Sequence, residues 1–198
     1  FRIIEGKSRS ILSLEEKKRL ESDWKYWECS NQIKSRLEAL SLAGSFLYLF
    51  LEFVPETLYS WTGNKIKEGE RKGLDACNTL FDKIPLLTSF LRSHNFCHFD
   101  AHFRNLLTDG NEIFFADLGL CLSQEFELNN DEKIFLDNHS LYDQACLVLN
   151  LSHTIVSHLQ GQKQWKQFIE SNGKGFDCGA YQSLLTKIMP VASRMHRF

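Results

Sequence analysis

Between Asn95 and Leu120 the chain reads NFCHFDAHFRNLLTDGNEIFFADLGL, with polar residues held between short apolar runs. The pattern predicts strand, loop, hairpin and loop. Phe96 and Cys97 lead into His98, Phe99 and Asp100. Leu106 and Leu107 resume a strand, Thr108 to Asn111 is a turn, and Ile113 to Ala116 is a second strand. That strand delivers Asp117, followed by Leu118 and Gly119.

Three side chains thus emerge from adjacent strand ends: Asp100, Asn105 and Asp117. Transfer of a phosphoryl group from a nucleotide needs such a set. One carboxylate orients the attacking hydroxyl and accepts its proton, while a second carboxylate and an amide oxygen hold the divalent metal. His98, Asp100 and Asn105 carry the spacing H-x-D-x-x-x-x-N, and Asp117-Leu118-Gly119 follows as a variant of D-F-G. With His102 the loop reads H-x-D-x-H-x-x-N. In this form the chain resembles the aminoglycoside phosphotransferase and choline kinase-like branch of the protein-kinase-like superfamily, a bacterial atypical kinase, over roughly residues 46–158.

The resemblance implies an α+β, protein-kinase-like bilobal fold with a short or truncated N-lobe and a mainly helical C-lobe. Residues 1–54 would form the small part, with a helix and the strand leading to the hinge, and residues 55–198 the large catalytic lobe. The implied activity is transfer of the γ-phosphate of ATP to a hydroxyl of a small molecule or of a protein Ser/Thr. Asp100 would be the base, His98 would support the loop, and His102 would line the acceptor or phosphate side. Asn105 and Asp117 would hold magnesium or manganese. Glu52, Phe53 and Val54 would meet the adenine along the hinge, and Lys7 would reach the phosphates. No Gly-rich loop precedes Lys7 and no A-P-E follows Asp117. The second absence, with His102, favours a small-molecule acceptor.

Two other readings stay open. A degenerate kinase fold would use the cleft as a binding module, which the missing Gly-rich loop favours and the intact Asp100, Asn105 and Asp117 oppose. A metal hydrolase would use His98, Asp100 and His102 as ligands, since alternate residues of a strand share a face. His94, Asp109 and His139 would complete a zinc site, but Asn105 and Asp117 would then be unexplained.

Composition narrows the class. A net charge of −2 gives no reason to expect a nucleic-acid or anionic-membrane partner. An apolar fraction of 43% suffices for a packed core, and no apolar run approaches the ~20 residues that span a bilayer. Six scattered cysteines without a C-x-x-C pair read as free thiols in a reducing cytoplasm. The opening FRIIEGKSRS is not a signal peptide, and a start at Phe1 leaves room for a preceding segment.

The remaining elements follow from periodicity and punctuation. Ser13 with Glu16 makes a capping box for a helix to about Leu40, broken near Cys29 to Asn31, with Leu14, Leu20, Trp24, Ile33 and Leu37 on its apolar stripe. Glu21 and Glu28 are its candidates for pairing with a lysine. Phe46 to Val54 reads as a buried strand. Tyr59 to Gly73 reads as a polar connector with one short helix at most. Asp75 to Ser93 is a helix that Pro85 kinks or divides, with Leu80, Phe81, Leu87, Phe90 and Leu91 available to its buried face. A helix opens at Tyr142, where Asp143 either caps it or, as the resemblance implies, supports the catalytic loop from below. His153 and His158 read as core-edge residues, and Gly173-Lys174-Gly175 as a turn. Tyr181 to Ile188 completes a helical lobe.

Overall fold

The computed structural model describes residues 2–5, 13–41, 43, 45–48 and 50–197. Lys7 lies outside them. The chain divides into two compact units, Phe1–Phe53 and Val54–Phe198.

In the first unit, strands β1 (Arg2–Glu5) and β2 (Ser45–Tyr48) pair antiparallel, Arg2 opposite Tyr48. Helix α1 (Leu14–Tyr26) begins at the expected capping box: the Glu16 N–H donates to Ser13 Oγ at 3.2 Å and the Ser13 N–H to Glu16 Oε2 at 2.7 Å. Glu28 and Cys29, both with positive φ, break the helix before α2 (Asn31–Ser41). Glu21 pairs with Lys25 one turn on, at 2.8 Å.

The expected buried strand from Phe46 to Val54 is corrected. The described strand is Ser45–Tyr48, paired with Arg2–Glu5. Phe50 to Pro55 is irregular, and Phe50, Leu51 and Phe53 are 85%, 83% and 85% exposed. Glu52 is also exposed and Val54 half-buried.

The second unit runs β3 (Glu56–Thr57), α3 (Leu58–Lys67), α4 (Glu70–Ser93), β4 (Phe96–Cys97), β5 (Leu106–Thr108), β6 (Ile113–Phe115), β7 (Leu122–Ser123), α5 (Asn130–Asn138), α6 (Tyr142–Leu159), α7 (Trp165–Glu170) and α8 (Gln182–Met195). Strands β3, β5 and β6 make one antiparallel sheet, and β4 pairs antiparallel with β7. Helices beside small antiparallel sheets make the fold α+β. Among the described residues no helix is long and apolar enough to cross a membrane.

The core centres on α6, which packs against α3, α4, α7 and α8 and buries Leu147, Leu151, Ile155 and Val156 completely. The polar connector expected from Tyr59 to Gly73 is instead α3 and the first turn of α4. Gly69, at φ +128, makes the turn into α4, while Gly63 and Gly73 serve contact. A Cβ on Gly63 would overlap the His158 ring, and one on Gly73 would lie 2.7 Å from Ile66 Cα and overlap the Tyr181 hydroxyl. Helix α4 runs through Pro85 without dividing. Its buried stripe is Ala76, Cys77, Leu80, Ile84, Thr88 and Leu91, so Phe90 faces solvent at 63% exposure.

Candidate active site

His98 to Asn105 is a loop joining β4 to β5, not a strand. Phe99 sits in the left-handed region at φ +59, and this breaks the alternation that would have pointed His98, Asp100 and His102 to one face. The loop instead sorts its residues by burial. His98, Ala101, Phe103 and Leu106 are fully buried, while Asp100, His102 and Asn105 stay half-buried. Its apolar positions are rooted in the core and its polar ones form the accessible face.

A left-handed phenylalanine costs on the order of 1–3 kcal/mol unless its surroundings enforce it. Asp143 supplies much of that enforcement. This carboxylate is 4% exposed and accepts two backbone hydrogen bonds, from the His98 N–H at 2.7 Å and the Phe99 N–H at 2.9 Å. The Phe99 ring packs against Phe135 and Tyr142 at centroid distances of 5.3 and 5.5 Å. Of the two roles open to Asp143, support of the loop is the one it performs.

His98 has both ring nitrogens committed. The Asp100 N–H donates to Nδ1 at 3.2 Å, which leaves the proton on Nε2, and Nε2 donates to the Ala116 carbonyl at 2.9 Å. Its ring joins the Asp100 backbone to the end of β6. The Ala116 N–H donates to the Asn105 carbonyl at 2.8 Å. Ala116 is thus held from both sides by the loop, which ties the end of β6, and with it Asp117, to Asp100 and Asn105.

Asn105 donates its amide N–H groups to Asp100 Oδ2 at 2.8 Å and to the Asp100 carbonyl at 3.1 Å. Spending the amide nitrogen on Asp100 leaves Oδ1 as its acceptor end, the end a hard cation takes. The Asn105 N–H donates to His102 Nδ1 at 3.2 Å, so a neutral His102 carries its proton on Nε2, which lies 3.6 Å from Asp100 Oδ1. Both oxygens of Asp100 therefore face a neighbour from its own loop. Asp117 is exposed and left-handed at φ +54, a conformation Asp tolerates. A Cβ on Gly119 would stand 3.3 Å from Asp117 Oδ1, so the glycine keeps that oxygen clear.

Asn105 and Asp117 carry oxygen atoms of the kind that could hold magnesium or manganese, with phosphate oxygens and water completing the shell. Among the described residues no three His, Cys, Asp or Glu side chains form a metal-binding group. Of the ligands considered for zinc, His98 is committed as above, and His94 and His139 bond the carbonyls of Phe90 and Phe135. Asp109 Oδ1 caps its own turn, accepting the N–H groups of Asn111 and Glu112. Two thiols flank the loop. Burial, then the Asp143 carboxylate, pushes both Cys97 and Cys146 up to about 12, so neither is a nucleophile.

Glu52 and Phe53 belong to the first unit and Val54 to the second. Sequence reasoning passed over Asn150, whose Oδ1 accepts the Phe103 N–H at 3.4 Å, and Tyr59, whose ring lies under Arg104. The available signal was the seven-residue interval from Asp143 to Asn150, two helical turns on one face. Compared with known proteins, the chain matches no family model, no curated protein and no solved structure.

Proposed function

We propose that this chain is an ATP-dependent phosphotransferase of protein-kinase-like, bilobal architecture, moving the γ-phosphate of ATP to a hydroxyl of a small molecule or a protein Ser/Thr. The observation that carries the reading is the bonding of Asn105 to Asp100, with Ala116 tying Asp117 to the same loop. The proposed base and one proposed hard-cation donor are thereby joined by hydrogen bonds, and the backbone that precedes the second donor, Asp117, is tied to the same loop. The zinc-hydrolase reading leaves Asn105 and Asp117 unexplained.

In this reading Asp100 accepts a hydrogen bond from the acceptor hydroxyl and orients its oxygen toward the γ-phosphorus. The new O–P bond forms as the bond to the bridging oxygen of ADP breaks, and the hydroxyl proton passes to Asp100 or to the product phosphate. Asn105 Oδ1 and the Asp117 carboxylate would hold magnesium or manganese, which when bound neutralises phosphate charge. His102 borders the acceptor side of Asp100, and His98 fixes the loop. Glu52, Phe53 and Val54 are proposed to meet the adenine and Lys7 the phosphates. No nucleic-acid or membrane partner is invoked, and the proposed setting is cytoplasmic.

Thermal unfolding with magnesium alone, ATP alone and both together tests the proposal. A ligand at ~100 times its dissociation constant adds about 2.7 kcal/mol. The expected result is a shift that needs both components and disappears in Asp117→Ala. A shift with zinc but none with magnesium and ATP would reverse the reading, and full transfer activity in Asp100→Asn would remove the base.

A further inference from the structure

The catalytic loop is fastened at two places by unrelated means. Its first half hangs on Asp143. Its second half, Phe103 to Asn105, has separate attachments. The Phe103 N–H donates to Asn150 Oδ1 at 3.4 Å, and the Phe103 carbonyl accepts the Tyr59 N–H at 3.0 Å. The Arg104 guanidinium lies 4.3 Å from the centre of the Tyr59 ring, within cation–π range.

The Tyr59 ring is itself held. His158 packs on it at 5.3 Å between centroids and His153 at 6.4 Å, and its hydroxyl accepts from Gln162 Nε2 at 3.2 Å. Gly63, one turn along α3, is what admits the His158 ring. A fixed aromatic platform thus carries an arginine whose next residue in the chain is Asn105. Asn105 has its own bonds to Asp100, His102 and Ala116, and the platform and Asn150 add restraint on Phe103 and Arg104 just before it.

We propose that Tyr59 is a positioning residue for Asn105, setting the amide that takes the divalent ion, while Asp143 sets the base. This rests on the phosphotransferase reading and gives the loop two fastenings, which the Asn105–Asp100 hydrogen bonds join. Removing the platform loosens Arg104 and Asn105 and leaves the Asp143 bonds to His98 and Phe99 in place.

The test compares Tyr59→Leu, Tyr59→Phe and Arg104→Gln. Outer groups that orient a metal ligand typically change metal affinity 10–100-fold. Tyr59→Leu and Arg104→Gln should each raise the magnesium concentration for half-maximal transfer about tenfold. The rate at saturating magnesium and the KM for the acceptor should stay near wild type. Tyr59→Phe keeps the ring and should stay within about twofold. A loss that saturating magnesium does not restore, or an unchanged magnesium requirement, would overturn the inference.

Arg104 is exposed, so Arg104→Gln stays informative should Tyr59→Leu fold poorly. Amide exchange separates this inference from the activity it rests on. Both variants should speed exchange at Asn105 more than at His98, whether or not the wild type transfers phosphate. Equal acceleration at both residues would make Tyr59 a general packing residue. A wild type inert toward magnesium and ATP, with the selective exchange intact, would instead sink the phosphotransferase reading alone.

Discussion

Helices α1 and α6 are both written with apolar residues near helical spacing, yet α1 buries none of its thirteen residues and α6 buries nine of its eighteen. In α1 the stripe of Leu14, Leu20 and Trp24 is interrupted by charges at nearly every other position, and Leu14 is 71% exposed. Its stability rests on local devices, the Ser13–Glu16 capping box and the Glu21–Lys25 pair. Among the described residues helix α6 has neither a side-chain N-cap hydrogen bond nor an ion pair of its own, and draws its stability from helices on several sides. The candidate site hangs on the second kind of helix. A loop that must hold three polar groups to within a fraction of an ångström needs a support whose own rotamers are locked.

Replacing Leu151, fully buried at the middle of α6, with Ala should cost about 2–5 kcal/mol, because the lost contacts leave a cavity. Leu20→Ala, at a half-buried position of α1, should cost less than about 1 kcal/mol. Denaturant unfolding of both variants measures the contrast. Equal losses would mean that burial in α1 is undercounted and that the two helices do not differ as described.

Asp143 sharpens the same comparison by removing charge rather than volume. Asp143→Ala leaves the His98 and Phe99 N–H groups without acceptors, at about 1–3 kcal/mol for each group that stays buried. Asp143→Asn keeps one acceptor oxygen and should lose about half as much. Chemical unfolding gives the stability. Amide exchange should locate the damage at His98 and Phe99, with Phe103 still protected by Asn150. Loss of protection along the whole loop would show that its two fastenings are one.

The elements that sequence made legible are those with local causes. The capping box at Ser13, the Asp109–Gly110 turn and the short strands β5 and β6 on either side of it each need only a few neighbouring residues. The misreadings share a different cause. Gly63 and Gly73 looked like punctuation because their reason, the His158 ring and the Tyr181 hydroxyl, lies about a hundred residues away. Phe50 to Val54 looked like a buried strand because its composition is that of a core segment, although Phe50, Leu51 and Phe53 are exposed. Asn150 and Tyr59 were passed over for the same reason: each acts through a partner that is distant in sequence. The loop's local spacing lies within one short stretch of sequence, whereas the residues that support it are spread over the fold.

The smallest expected effect concerns His153. Burial first, then Arg104 and His158, holds its imidazole below the usual histidine range. Between the folded and unfolded values the unfolded chain binds more protons, so stability rises with pH across that window. The contribution is fully present above the unfolded value, near 6.5, and is lost as pH falls toward the folded one. A single proton limits the slope to about 1.4 kcal/mol per pH unit. In His153→Gln the stability difference from wild type should be largest near pH 7.5 and shrink toward pH 5. The cause being burial, about half-molar salt should leave that slope in place, whereas the exposed Glu21–Lys25 pair of α1 is the kind that salt screens. A His153 slope that salt abolishes would make the group a surface charge and put α6 on the same footing as α1.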